Sequence, residues 1–235
     1  IQSIGMMAFG TATVRPVLKI VGPGNAYVTA AKRQVYGFVG IDQVAGPSEI
    51  AVLADDSANP AWVAADMLSQ AEHGSGHEKA LLVTDSMALA KAVRTEIERQ
   101  TPSLSRASII RRVADNNGIL LAVVPDISQG MELVNRFAPE HLEIMARGAR
   151  ALMKQVRTAG AVFLGSWTPE AAGDFVAGPS HVLPTGGAAR MFSGLTADDF
   201  RLRHSFVEFT RKDLSETRDS IETFAAVEGL DAHGR

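Results

Sequence analysis

Short apolar runs alternate with helix-period segments along residues 18–164, and most are bounded by a glycine, a proline or a capping residue. Residues 18–21 read as a strand, Gly22-Pro23-Gly24 as a turn, and Asn25 as the N-cap of a helix reaching about residue 36. Residues 49–53 form the next strand. Ala58-Asn59-Pro60 then starts a helix with Pro60 at its first position and Trp62, Val63, Met67 and Leu68 on its apolar face. Further strands are predicted at 80–84, 118–124, 141–144 and 161–164, with helices over 86–99, 128–137 and 146–157; residues 108–112 fit either element. The longest apolar run, 119–124, is too short to span a bilayer and reads as a buried strand. Beyond Gly187 the alternation breaks down until a terminal helix over 213–231, with Ile221, Phe224, Ala225 and Leu230 on its stripe.

Strands separated by helices of this length predict a predominantly parallel sheet with helices on both faces, an α/β fold. No repeat or low-complexity segment interrupts the pattern. The 235 residues suffice for one large domain or two smaller ones. A formal charge of -3 with interspersed signs leaves no basic stripe for nucleic acid and no polybasic patch for a membrane, so small polar substrates remain. The chain has no cysteine, so a metal here depends on His, carboxylate or amide ligands. It begins at Ile1 without a Met and stops at Arg235 just after a helical segment, and both ends read as cut from a longer chain.

Four places carry candidate chemistry. Ser69-Gln70-Ala71-Glu72-His73 closes the helix that begins at Pro60, setting an amide and an imidazole three residues apart on one face. That is metal-ligand spacing; it also suits a surface Gln beside a C-terminal His favoured by the helix dipole. Pro139-Glu140-His141 sets a carboxylate beside an imidazole, so that one group can take a hydroxyl proton while the other activates water; a solvated element start is the plainer alternative. Asp174 and His181 lie in Gly- and Pro-flanked segments of the kind that hold functional side chains, or serve as an ordinary helix Asp and a capping His. Gly22-Pro23-Gly24-Asn25 precedes a helix and can present N–H groups to phosphate, but it lacks the spacing of a dinucleotide fingerprint. His77 and His204 have no partner pattern and read as surface residues.

Five ordered motifs resemble the histidinol dehydrogenase family across the whole chain: Gly22-Pro23-Gly24-Asn25-Ala26-Tyr27-Val28, Ala45-Gly46-Pro47-Ser48-Glu49, Ser69-Gln70-Ala71-Glu72-His73, Ala138-Pro139-Glu140-His141-Leu142 and His181-Val182-Leu183-Pro184-Thr185. The resemblance implies zinc bound by Gln70, His73, Asp174 and His233, and four-electron oxidation of L-histidinol to L-histidine through histidinaldehyde with two NAD. It makes His141 the base for the hydroxyl proton and Glu140 the activator of water. Ser48, His181 and Glu228 match substrate positions together with the zinc ligands and His141, and Gln2 and Asn25 match positions near NAD. It implies a cytoplasmic homodimer in which Glu228 and His233 complete a neighbouring subunit's site. The implied architecture is a set of incomplete Rossmann-like parallel sheets: residues 1–48 as the remainder of a nucleotide-binding domain, 49–195 as the main α/β domain, and 196–235 as a small helical segment. Family members extend further at the N-terminus, so weak NAD binding is expected of this stretch alone. Two alternatives stay open: a paralogue oxidising another small polar alcohol such as a sulfopropanediol, and a non-catalytic metal-binding α/β fragment.

Overall fold

Strands alternate with helices along most of the chain, and this alternation builds the sheet. The computed structural model describes residues 1–235. The chain divides into two units, Ile1–Asp199 and Phe200–Arg235. In the first, helix α1 (Gln2–Phe9), strand β1 (Lys19–Ile20), helix α2 (Ala26–Val35) and strand β2 (Gly40–Ile41) form a small layer, with β1 and β2 parallel. Ile4, Ala8, Ile20, Val35 and Val39 are its core. Asn25 caps α2 as predicted, its side chain accepting the N–H groups of Tyr27 and Val28. Buried Asp42 accepts the Gly22 N–H at 2.7 Å and pairs with buried Lys32, whose Nζ donates to the Gly22 carbonyl at 3.0 Å; together they pin the glycine turn.

Strands β3 (Glu49–Ala54), β4 (Lys79–Thr84), β5 (Ile119–Val123), β6 (His141–Met145) and β7 (Ala161–Leu164) form one all-parallel sheet in the order β5-β4-β3-β6-β7. The connections carry helices α3 (Pro60–Ala71), α4 (Met87–Gln100), α5 (Ala107–Asp115), α6 (Ile127–Phe137) and the short α7 (Ala149–Leu152). Helix α8 (Glu170–Phe175) follows β7. Every residue of β3 and β6 is buried, as expected for central strands covered on both faces. One face packs on α3 and α4 through Val52, Val63, Met67 and Val93; the other packs on α6 through Leu53, Met131 and Val134.

Two expectations are corrected and one segment left open is settled. The apolar run 119–124 is not a buried strand: β5 is an edge, with Leu120 42% and Val123 41% exposed, because only β4 flanks it. Residues 108–112 are helical, since Ile110 and Val113 repeat at three residues and dock beneath Leu68 and Ala71. The helix expected over 146–157 collapses to α7 and a following 3-10 turn, Met153–Gln155, after Gly148 takes a left-handed conformation. The pattern also gave no signal for α1 or β2.

The second unit contains helix α9 (Arg211–Glu228). Thr210 and Asp213 form a reciprocal capping box at its start, and Gly229 closes it in the left-handed conformation that glycine accepts without strain. No helix of the chain is long and apolar enough to cross a membrane.

Candidate functional site

The N-terminal ends of β3 and β6 lie side by side, with Ile50 opposite His141. This register puts the Glu49 peptide between the two residues of the Glu140-His141 pair. Its N–H donates to Glu140 Oε2 at 3.1 Å, and its carbonyl lies 3.3 Å from His141 Nδ1. The Glu49 side chain reaches the other way, accepting the Gly187 N–H at 3.4 Å. The Gly46 N–H donates to the Thr185 hydroxyl and Gln43 Nε2 to the Leu183 carbonyl. The turn before β3 is thereby stitched to the loop that carries His181.

Helix α3 packs on β3 and β4, and its last turn brings Gln70, which is fully buried, onto His141. Gln70 Oε1 lies 2.8 Å from His141 Nδ1 and Gln70 Nε2 3.2 Å from His73 Nδ1, so one amide bridges both imidazoles. An amide oxygen only accepts, which fixes the proton of neutral His141 on Nδ1 and leaves the lone pair on Nε2. That nitrogen faces Glu170 Oε1 at 3.5 Å. Ser69 Oγ donates to the other Glu170 oxygen at 3.0 Å.

Burial dominates the electrostatics. It pushes the Glu140 carboxyl up to about 8, against the Glu49 N–H and the Ser48 hydroxyl, which favour the anion. It pushes His141 down to about 4, with Asp174 opposing and His73 reinforcing the shift. Glu170 is raised by burial and by the nearby Asp174.

Three cavities lie in this region, one lined by His141, one by Glu140 and a third by neither. One of about 430 Å³ is lined by His141, Asp174 and His181. A second of about 200 Å³ is lined by Ser48, His73, Glu140 and His181 together with Pro23 and Gly24 of the glycine turn. The third, about 260 Å³, carries His73, Glu170 and Asp174. Seven of the predicted residues therefore surround one place: Ser48, Gln70, His73, Glu140, His141, Asp174 and His181. Gln2, in the first turn of α1, lines none of these cavities, and Asn25 spends its side-chain oxygen on the α2 cap. Glu228 and His233 line a separate cavity of about 370 Å³ within the second unit.

The family model for histidinol dehydrogenase matches residues 1–235. The chain belongs to the histidinol dehydrogenase family. It is 49% identical over 234 residues to histidinol dehydrogenase of Geobacillus kaustophilus, covering 100% of this chain and 55% of that protein. The Bacillus subtilis histidinol dehydrogenase is 47% identical over the same length, with 54% of it covered. The crystal structure of histidinol dehydrogenase from Elizabethkingia anophelis superposes with a TM-score of 0.93 at 40% identity, over 99% of this chain and 53% of that one. The chain thus spans about half the length of the histidinol dehydrogenases it matches.

The donor types suit a zinc ion, with an amide oxygen, imidazoles and carboxylates near one another and no thiolate, although Gln70 here turns its oxygen to His141 and its nitrogen to His73. His141, Glu170 and Asp174 also offer ligand atoms within 4.8 Å of one another. Three residues of this neighbourhood gave no sequence signal. Glu170 sits in an unexceptional Thr-Pro-Glu helix start, and Asp66 and Glu143 are buried acids whose positions look like core positions in the periodicity. The one available cue was their place on otherwise apolar faces: Asp66 precedes Gln70 by one helical turn, and Glu143 follows His141 on the same face of β6.

Proposed function

We propose that the protein oxidises L-histidinol to L-histidine through histidinaldehyde, with NAD taking a hydride in each of two steps and zinc orienting the substrate. The observation that carries this reading is the 2.8 Å approach of Gln70 Oε1 to His141 Nδ1. With Nδ1–H donated to Gln70 Oε1, the His141 Nε2 lone pair is ready to take the substrate's hydroxyl proton. The low proton affinity of the buried ring keeps it neutral at physiological pH. Once the aldehyde has formed, Glu140 acts on water. The Glu49 N–H aims its carboxylate, and burial raises its basicity towards the pH of the solution, where a general base is most effective. Keeping the aldehyde in a buried site between the two oxidations protects it from side reactions.

Gln70, His73 and Asp174 would hold zinc, with His233 from a second copy of the chain as the fourth ligand. Ser48 and His181 border the space left for substrate, and Glu228 from the second copy would join them. Gln2 and Asn25 are assigned to NAD, close to a glycine turn that reaches the Glu140 cavity. The reading places the protein in the cytoplasm as a homodimer.

The deciding assay is NADH formation by the whole native protein with L-histidinol, before and after chelation and zinc restoration, beside a sulfopropanediol. Two NADH per histidinol, lost on chelation and restored by zinc, is the expected result. Turnover of the diol alone would reassign the substrate, and no turnover of either would leave a ligand-binding fragment. His141→Asn is expected to keep metal content and to lower turnover by about 10²-fold or more.

A further inference from the structure

Glu170 is 2% exposed, and its Oε1 is fully enclosed without a hydrogen-bond partner. A buried oxygen left in that state costs about 1–3 kcal/mol, so natural structures keep few of them. This one points at His141 Nε2, 3.5 Å away, the nitrogen that holds a lone pair in the resting tautomer. A lone pair gives the oxygen nothing to accept. Once Nε2 carries a proton, the same oxygen faces a cation.

The surroundings hold Glu170 rigidly in that position. It is the first residue of α8, and Ser69 Oγ fixes its second oxygen. The buried acids Asp66 and Glu143 lie on α3 and β6, the same two elements that carry Gln70 and His141.

We propose that Glu170 is a positioning residue for His141, offering Oε1 to the imidazolium Nε2–H formed when His141 takes the substrate's hydroxyl proton. The step is a proton transfer from the alcohol oxygen to Nε2; Glu170 gains and loses no bond, and its charge stabilises the cation and keeps the ring facing the substrate. This inference rests on the assignment of His141 as the base.

The test uses the whole native protein with histidinol and NAD. Glu170→Gln keeps shape and removes the charge, and is expected to lower kcat by about 10- to 100-fold while KM for histidinol stays within about threefold. Zinc content and melting temperature should match the wild type, and Glu170→Asp should recover part of the loss. Ser69→Ala, which frees one carboxylate oxygen without touching the charge, should give a smaller fall in kcat in the same direction. A kcat within about threefold of wild type for Glu170→Gln overturns the proposal, as does loss of zinc, which would make Glu170 a ligand. His141→Asn separates the two claims. If it is inactive while Glu170→Gln is not impaired, only the role of Glu170 falls; if it retains full turnover, the base assignment and this proposal fall together.

Discussion

Glu140 and His141 are neighbours in the chain, yet burial moves their proton affinities in opposite directions, because it opposes whichever form is charged. For Glu140 the folded value, about 8, lies above that of the unfolded chain. Its carboxyl is therefore protonated in the fold where it is ionised in the unfolded chain, and stability declines as pH rises from the ordinary carboxylate range towards 8. For His141 the folded value, about 4, lies below the unfolded one, so stability declines as pH falls from the ordinary imidazole range through 4. Glu140→Gln removes the first effect. Thermal melts should show this variant gaining on the wild type between pH 5 and pH 8, and a constant difference across that window would refute the assignment. The same ionisation governs turnover if Glu140 activates water: kcat should rise with pH through about 8, and Glu140→Gln should abolish that limb along with most of the activity.

At the scale of elements, the candidate site lies along a buried polar seam between α3 and β6. Asp66 and Gln70 are one turn apart on the helix, and His141 and Glu143 are two apart on the strand, so each pair faces the other. Most helices and strands follow from apolar periodicity, and the caps at Asn25 and Asn59 stand where the sequence places them; the lateral order of the strands does not follow from it. The Gln70, His73 and Glu140-His141 candidates were legible because spacing or adjacency announces them. Glu170 was not, since its contact with His141 is made only after β7 and α8 have packed, which no local pattern encodes. Close packing next to the pair gives a test. A Cβ on Gly160, just before β7, would stand 2.6 Å from the Glu140 carbonyl oxygen and 3.0 Å from Pro184 Cδ. Backbone cannot yield as a side-chain tip does. Gly160→Ala should therefore destabilise by about 1–3 kcal/mol in denaturant titrations and lower kcat by displacing Glu140, whereas a change in stability alone would show that the strand ends absorb the strain elsewhere.

At the scale of the whole sheet, the order β5-β4-β3-β6-β7 reverses direction between β3 and β6, the point where parallel α/β sheets ordinarily take a nucleotide beyond the carboxyl ends of their strands. Here that crevice is closed. Asp55 accepts the Arg147 N–H at 2.8 Å and the Ser57 N–H at 3.0 Å, Arg147 pairs with Asp56, and the carboxylates occupy ground a pyrophosphate would need. The Glu140-His141 site lies at the opposite, N-terminal ends of the strands, where the Gly22-Pro23-Gly24 turn enters from the small β1-β2 layer. If NAD comes to that turn, two changes at the two ends should behave differently. Asp56→Ala removes an exposed ion pair worth little and should leave KM for NAD unchanged. Asn25→Asp keeps an N-cap for α2 but replaces the amide donor with a negative charge facing the nucleotide's phosphates, so KM for NAD should rise by about tenfold with little change for histidinol. A rise for Asp56→Ala with none for Asn25→Asp would move the nucleotide to the crevice and detach the glycine turn from the reaction.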